Sequence, residues 1–348
     1  MSEPWLFGGL ALIMGMVLVL PFSVRWVEEE LEAFLLVMGA LAATVSGIWS
    51  LHLVGEALKE PLKISAAVLV FGFLFRWARD PLRAGVSGLA RRMGMGFFLF
   101  ALVAGVGLLS SVITAIIASL ALVEVLSGLN LDKDKERKAA ILGCYSIGLG
   151  AVLTPIGEPL STIATARLAG EPHHAGFFFL ASLLWPWITG GIFLCSLFAL
   201  RFAGKEVAAA ESLTEDEPET LRAIAVRAGK VYAFVAALVL LGHGFTPIVD
   251  RYLLSMPQGL LFWVNMVSAV LDNATLAAAE ISPRMGVSQI EFILLGLLIS
   301  GGMLIPGNIP NIICAKKLGI SSREWGIFAA PFGLGLMALC FLLLQVAR

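Results

Sequence analysis

Charged residues are scarce in this sequence. They make up 14% of its 348 residues, and hydrophobic residues make up 59%, whereas soluble domains carry about 25% charged residues. A soluble protein needs a polar surface over its core, so this deficit excludes a soluble fold. The formal net charge of −1 gives no overall basic field and argues against a nucleic-acid partner. We therefore predict an integral membrane protein whose helices contact membrane lipids.

Cysteine is also rare. The four cysteines, Cys144, Cys195, Cys314 and Cys340, all lie in apolar segments and form no CxxC pair, which argues against a disulfide framework and a transition-metal site. The apolar segments contain no nucleophile–base pair either. The sequence therefore indicates neither an enzyme nor a cofactor.

Apolar runs of about 20 residues, the length of a membrane-spanning helix, recur along the chain. The first follows Met-Ser-Glu with no positive charge before it, so we interpret it as a retained span and not as a secretory signal. The regular candidates are Pro4–Phe22, Ala33–Val54, Pro61–Trp77, Ala175–Phe202, Val231–Val249 and Trp325–Val346.

Three further apolar stretches are interrupted by polar residues or prolines. Backbone groups at membrane depth must form hydrogen bonds within the protein. Such interruptions are therefore expected only where they are buried or line a cavity. The stretches are Met95–Leu129, Ala139–Leu168 and Pro257–Leu304, and the last continues into Ile305–Asn311.

The interruptions recur in the same order in two halves of the chain. Gly150–Ala164 aligns without gaps with Gly301–Ala315, with five of fifteen positions identical, including two prolines. Ser110–Ala115 aligns in the same way with Ser268–Asn273. We therefore predict two repeats, each with a re-entrant hairpin followed by a helix that is broken at proline.

The distribution of positive charge orients these repeats. If the two hairpins open to opposite sides, 18 of the 24 Lys and Arg residues lie on the cytoplasmic side, as the positive-inside rule requires. The predicted fold is an all-α integral membrane protein with about eight transmembrane helices, two re-entrant hairpins and two inverted repeats with broken helices. Both termini are predicted to lie outside. The parts are N-terminal scaffold helices (1–60), repeat 1 (61–204, with hairpin 95–129 and broken helix 139–168), a cytoplasmic linker (205–230) and repeat 2 (231–348, with hairpin 257–282 and broken helix 288–315).

Broken helices present N–H and carbonyl groups in mid-membrane, and these half-helix ends bind ions. The polar side chains at the interruptions carry oxygen, which hard cations such as Na⁺ prefer. The candidate ion- or substrate-binding residues are Ser110, Ser111, Thr114, Thr154, Glu158, Ser161, Thr162, Ser268, Asp272, Asn273, Asn308 and Asn311.

Asp272 and Glu158 are the candidates for ion coupling, with Asp272 as the main coupling carboxylate, because charge inside a membrane is costly and usually functional. Together with Asn273 they would hold a bound Na⁺. Structural alternatives remain for both acids. Asp272 also suits the N-cap of the following hairpin helix, and Glu158 would also fit as a protonated side chain against the backbone.

Two motifs resemble those of the ion-transporter superfamily, which contains sodium/proton antiporters of the NhaD type and arsenite, citrate and dicarboxylate carriers. Ser268-Ala-Val-Leu-Asp-Asn273 is similar to the Ser-Ala-x-x-Asp-Asn stretch of the antiporters, and Gly150-Ala-Val-Leu-Thr-Pro-Ile-Gly157 to the Gly-x-x-x-Thr-Pro-Ile-Gly break. Neither Ser110–Ala115 nor Ser268–Asn273 has the Ser-Asn-Thr of the dicarboxylate branch. The chain also resembles a compact prokaryotic family of unknown function, labelled predicted cation transporters. The resemblance implies alternating access and a homodimer.

We interpret the sequence as a secondary-active ion transporter that exchanges a monovalent cation such as Na⁺ for protons across the cell (inner) membrane. Its partners would be a small ion and membrane lipids. The alternative is a symporter that takes up a small carboxylate or oxyanion together with cations, with half-helix N-termini holding the anion. A channel fits less well, because helices broken at proline favour occluded sites over an open pore.

Overall fold

The computed structural model describes residues 3–24, 26–27, 30–59, 61–62, 65–66, 69–70, 73, 93–129, 131–203, 221–269 and 273–347. The regular elements in these ranges are all helical, including the segment 51–59. The other helices are α1 (Glu3–Ser23), α2 (Leu31–Ser46), α3 (Met95–Ile113), α4 (Ala115–Ser127), α5 (Lys133–Gly150), α6 (Pro159–Arg167), α7 (Phe179–Ala199), α8 (Leu221–Ile248), α9 (Gln258–Val264), α10 (Asn273–Glu280), α11 (Val287–Gly301), α12 (Ile309–Leu318) and α13 (Ser322–Val346).

Four helices in the described ranges are long and apolar enough to cross a membrane. They are α3, α7 with its short extension to Phe202, α8 from Ile224 onward, and α13, with 19 to 25 residues each. At 1.5 Å per residue these lengths match a hydrocarbon core about 30 Å thick. Shorter apolar helices accompany them. The all-α class is confirmed, and the apolar helices are those of a membrane protein.

The predicted span Ala33–Val54 is not a single helix. Helix α2 ends at Ser46, because Gly47 adopts a left-handed backbone conformation (φ 67°) and its N–H bonds the carbonyls of the preceding turn. A new helical segment begins at residue 51. The sequence pattern did not reveal this end, since Gly47 lies inside an apolar run and glycine is common within membrane helices.

Helix α8 begins at Leu221, so residues 221–230 of the expected linker 205–230 are helical. Lys230, on this part of the helix, lies 3.2 Å from a carboxylate oxygen of Glu30 and 3.6 Å from one of Glu32. The segment 221–230 of the expected linker, which includes charged residues, therefore forms the first part of helix α8. Residues 204–220 and most of the predicted span Pro61–Trp77 lie outside the described residues.

Two helices are interrupted where the sequence predicts broken helices. Helix α5 ends at Gly150 and α6 begins at Pro159, whereas α11 ends at Gly301 and α12 begins at Ile309. Pro159 and Pro310 occupy the first or second position of the following helix, where a missing backbone N–H costs little. Residues 151–158 are called the first break below, and residues 302–308 the second break.

A single non-helical residue, Thr114, separates α3 from α4. Its φ of 76° and ψ of 149° fall in a region that is nearly exclusive to glycine and costs about 1–3 kcal/mol. In the other half, α9 continues as a tighter helix over Asn265–Ala269, and α10 begins at Asn273. Residues 110–115 are called the first tip and 268–273 the second tip. Residues 270–272 of the second tip, including Asp272, lie outside the described residues.

Candidate functional site

Each tip is anchored to the helix that leads into the break of its own half. Ser110 Oγ donates a hydrogen bond to the Ile147 carbonyl at 3.1 Å, and Ser268 Oγ donates to the Leu297 carbonyl at 3.2 Å. Both serines are fully buried. The same side chain therefore makes the same contact in both halves, as their alignment predicts.

A second contact between these elements also recurs. Ser300 Oγ donates to the Asn265 carbonyl at 2.7 Å. In the first half, Gly150 lies against the Gly107 carbonyl so closely that a Cβ at Gly150 would overlap it. Gly107 precedes Ser110 by three residues, and Asn265 precedes Ser268 by three. Gly150 in the first half and Ser300 in the second therefore occupy equivalent positions. At both, the helix before the break lies close to the backbone of the element that leads to the tip.

The interiors of the breaks share one pattern of hydrogen bonds. Ser161 Oγ donates to the Thr154 carbonyl at 2.7 Å, and Asn311 Nδ2 donates to the Leu304 carbonyl at 2.9 Å. These same two carbonyls also accept hydrogen bonds from the backbone N–H groups of glycines in the breaks, Gly157 and Gly307. A serine and an asparagine therefore close the two breaks in equivalent ways.

This pattern corrects the predicted alignment. The hydrogen bonds pair Thr154 with Leu304 and Ser161 with Asn311, whereas superposing Gly150 on Gly301 pairs Thr154 with Ile305. The predicted alignment of the breaks is therefore wrong by one residue. It superposed the prolines, but proline stands at the first position of α6 and at the second position of α12.

Tip and break are in direct contact within each half. The backbone N–H of Ala115 donates to the Gly157 carbonyl at 2.8 Å, and Thr154 Oγ1 donates to a carbonyl of the first tip, that of Ser111. In the second half, a Cβ placed on Gly307 would lie 2.5 Å from the Ser268 carbonyl oxygen. Both breaks thus pack against their tips through a glycine.

Helices from different halves also lie side by side. Helix α6 packs against α10, and Arg167 at the end of α6 donates from Nε to the carbonyl of Ile281, just after α10, at 3.2 Å. The helices have nine and eight residues. Since their C-terminal ends meet and their lengths match, their N-terminal ends, at Glu158 and Asn273, lie at the same level.

Helices α4 and α12 form the reciprocal pair. They pack together, and Cys314 Sγ lies 3.9 Å from the Ser119 carbonyl oxygen. Cys314 and Ser119 are a similar number of residues from the starts of α12 and α4, so the N-terminal ends at Thr114 and Asn308 also lie at the same level. Asn308 Nδ2 lies 2.6 Å from the position of a Cβ on Gly148 of α5, which brings the second break against the first half.

These contacts make four helix N-termini converge, those of α4, α6, α10 and α12. The first turn of each of these helices has N–H groups without a partner in its own helix and carries a partial positive charge, and the ends of α5 and α11 offer carbonyl groups. Such an arrangement is chemically suited to small ions, because carbonyl and hydroxyl oxygens are ligands for a cation and N–H groups are donors to an anion.

Glu158 brings a carboxyl group to this convergence. It directly precedes α6 in an extended backbone conformation and is 5% exposed. A carboxylate is favoured at a helix N-terminus. Its structural counterpart is Asn308, which precedes α12 in the same conformation and is also buried. Each break therefore presents one polar side chain at the start of a helix, ionisable in the first half and neutral in the second.

Two predicted asparagines have buried atoms that, within the described part of the chain, form no hydrogen bond. They are Asn273 Nδ2 and Asn311 Oδ1. Both side chains approach Gly301: Asn311 Nδ2 donates to its carbonyl at 2.8 Å, and Asn273 Nδ2 lies 3.7 Å from the position of a Cβ there. A buried polar atom without a partner costs about 1–3 kcal/mol, which a bound ion or water molecule would recover.

The other predicted residues have mainly local hydrogen bonds. Ser111 Oγ donates to the Leu108 carbonyl at 2.8 Å, and Thr162 Oγ1 donates to the Pro155 carbonyl. Among the described residues, no group of three or more His, Cys, Asp or Glu side chains is placed to hold a metal ion. The Na⁺ site predicted at Glu158, Asn273 and Asp272 stays a prediction, because Asp272 lies outside the described residues.

Arg167 received no role in the sequence analysis, yet it connects three helices. Besides Ile281, its guanidinium donates to the Gly242 carbonyl at 2.9 Å and to Thr246 Oγ1 at 3.3 Å, both on α8. It therefore ties α6 and α10, which form part of the site, to α8. Its position within the apolar stretch Ala139–Leu168 was a signal for a functional role.

A comparison with protein families finds one whose model matches residues 8–347, described as "Protein of unknown function (DUF1646)". Among curated proteins the chain has no match. The family match covers nearly the whole chain and includes both tips and both breaks. The protein therefore belongs to the DUF1646 family.

Proposed function

We propose that this protein is a secondary-active transporter that exchanges a monovalent cation such as Na⁺ for protons. The observation that carries the proposal is the convergence of four helix N-termini and two helix C-terminal ends around the buried Glu158. Broken helices that meet in this way form the ion sites of many secondary transporters.

A carboxyl group at such a site supports exchange. A cation bound beside a carboxyl group favours the ionised form of that group, whereas a proton on the group removes the charge that attracts the cation. The same group can therefore bind a proton or a cation, but not both at once. Asp272 supplies a second carboxyl group in the sequence, one residue before Asn273, and it aligns with Thr114 of the first tip.

The same proposal includes the finer architecture: about eight spans, two re-entrant hairpins and two inverted repeats in the cell (inner) membrane. Two features support it. The contacts of the tips and breaks recur in both halves, and each half contributes one helix to each of the pairs α4–α12 and α6–α10. An exchange of conformation between the halves would open the site to one side and then to the other.

The architecture predicts that Lys135 lies inside the cell and His174 outside. We expect a cysteine introduced at Lys135 to resist a membrane-impermeant maleimide in intact cells and to react after permeabilisation, whereas a cysteine at His174 should react in both cases. The four native cysteines are buried, which keeps the background low. Labelling of Lys135→Cys in intact cells would contradict the proposed orientation.

Transport itself is tested in proteoliposomes that contain a pH-sensitive dye. We expect Na⁺ added outside to raise the internal pH, because the inward movement of Na⁺ drives protons out, with protein-free liposomes as the control. Li⁺ and K⁺ in the same assay define selectivity. If no monovalent cation in this series moves protons, cation–proton exchange is excluded.

A second candidate function is the uptake of a small carboxylate or oxyanion together with cations. The buried Asn273 Nδ2 favours it, because this donor has no acceptor among the described residues and stands at the N-terminus of α10, where anions are stabilised. The distinguishing result is Na⁺-dependent uptake of a radiolabelled carboxylate or oxyanion without proton exchange.

A further inference from the structure

A cluster of titratable side chains lies where the helical segment 51–59 meets α8, apart from the tips and breaks. His243 Nε2 is 3.4 Å from Glu56 Oε2, and His52 Nδ1 is 3.5 Å from the same oxygen. The side chains of His52, Glu56 and His243 are 82%, 35% and 33% exposed. The cluster therefore joins one exposed side chain at the protein surface to two that are partly buried.

The geometry fixes the number of protons that this cluster needs. His243 Nδ1 lies 3.0 Å from the Val239 carbonyl oxygen, and a carbonyl only accepts, so Nδ1 carries a hydrogen. Nε2 then faces the carboxylate oxygen of Glu56 with a lone pair, unless a further proton lies on Nε2 or on the carboxyl group. Glu56 Oε2 is shut off from solvent, and within the described part of the chain it has no hydrogen-bond partner. One additional proton turns this repulsive contact into an attractive one.

We propose that Glu56 and His243 form a proton-binding site that is separate from the site at the tips and breaks. The pair shares one exchangeable proton, and the exposed His52 transfers it to and from solvent. This site does not depend on the proposed function, whereas its effect on transport does.

Arg167 connects this proton site to the ion site. Its guanidinium bonds the carbonyl of Gly242, the residue before His243, and also holds the end of α10. With the proton bound, the Glu56–His243 pair is neutral overall. Without it, the pair carries one negative charge, which attracts Arg167. Loss of the proton therefore strengthens the hold of α6 and α10 on α8, and proton binding weakens it.

Three other charged groups on described elements around α8 have contacts elsewhere. Glu32 of α2 pairs with Lys230, and Glu280 of α10 bonds the side chain of Asn265. Arg251, after α8, lies over the ring of Phe7. Among the residues that the structure describes, the titratable or charged groups that face His243 are therefore His52, Glu56 and Arg167.

The proton site is tested in purified protein without any transport assay. The chain has four histidines, so ¹⁵N-histidine NMR of detergent-solubilised protein, titrated with pH, can be assigned with single substitutions. We expect Nδ1 of His243 to keep its hydrogen over the whole pH titration. Nε2 should take up a proton as the pH falls, and Glu56→Gln should shift the pH at which this step occurs. His174→Asn, in an exposed loop, should leave the step unchanged.

Two results would overturn the proton site. One is a neutral His243 that carries its hydrogen on Nε2 instead of Nδ1. The other is a titration of His243 that is the same in wild type and Glu56→Gln. Should Glu56→Gln fail to fold, Glu56→Asp provides the second variant, because the shorter side chain keeps the charge but withdraws the carboxylate from His243 Nε2, so the step should still shift.

The link to transport is tested by the pH profile of cation–proton exchange. We expect His243→Gln to shift the pH of half-maximal rate while the maximal rate is retained, and His174→Asn to match wild type. An unshifted profile would overturn the link through Arg167. If wild-type protein moves no ions, the proposed function fails, and the NMR experiment still decides whether the proton site exists.

Discussion

Glu158→Gln is expected to reduce cation-driven proton movement to the level of protein-free liposomes. Glutamine keeps the shape of the side chain but cannot release a proton, so the competition between proton and cation is lost. The N-terminal position at α6 remains compatible with an amide, since Asn308 occupies the equivalent position. Folding should therefore persist, as checked by size-exclusion chromatography and thermal unfolding.

The matched control for this substitution is Glu171→Gln, which makes the same chemical change in an exposed loop and should leave exchange unchanged. Exchange by Glu158→Gln at the wild-type rate and with the wild-type pH profile would remove Glu158 from the mechanism. Asp272→Asn belongs in the same series. The sequence predicts Asp272 as the main coupling carboxylate, and its substitution should abolish exchange in the same way.

Gly157→Ala is expected to destabilise the protein by about 1–3 kcal/mol, the usual range for atoms forced into a packed region. A Cβ at Gly157 would overlap the carbonyl of Ala151, which is backbone and cannot move aside as a flexible side chain would. The first break would have to shift, and with it the hydrogen bond from Ala115. We therefore expect both a lower midpoint of thermal unfolding and a loss of ion exchange.

Gly190→Ala is the control for this substitution, because no atom lies within 4 Å of a Cβ there and alanine is favoured over glycine within a helix. Gly307→Ala, the equivalent change in the second break, should be as harmful as Gly157→Ala. Equal thermal stability of Gly157→Ala and Gly190→Ala would show that the first break does not depend on the close packing of Gly157 against the Ala151 carbonyl.

The breaks were predictable because proline determines where a helix can start. The serine of each tip was also predictable. Ser110 and Ser268 align in the sequence, and in the structure each donates to a carbonyl of the helix before the break of its own half. The register of the breaks was not, because proline is tolerated at either of the first two helical positions and only the hydrogen bonds of Ser161 and Asn311 distinguish them.

Contacts between distant segments had no signal in the local pattern. The position of Arg167 in an apolar stretch was a signal for a role, but its partners on α8 and after α10 are more than seventy residues away and had no signal in the sequence. The same holds for Glu56 and His243, whose approach depends on how the segment 51–59 packs on α8. The end of α2 at Gly47 was hidden because a glycine that ends a helix and a glycine within one look alike in sequence.

The equivalence of Glu158 and Asn308 has a consequence for the direction of transport. If the halves exchanged conformations, a symmetric molecule would return to an identical state viewed from the other side of the membrane. Here one half can release a proton at this position and the other cannot, so the two conformations differ in free energy by an amount that depends on pH and on the bound cation. If the protein is a carrier as proposed, it is therefore expected to have a preferred resting side, and the surrounding ion concentrations determine how strongly that side is preferred.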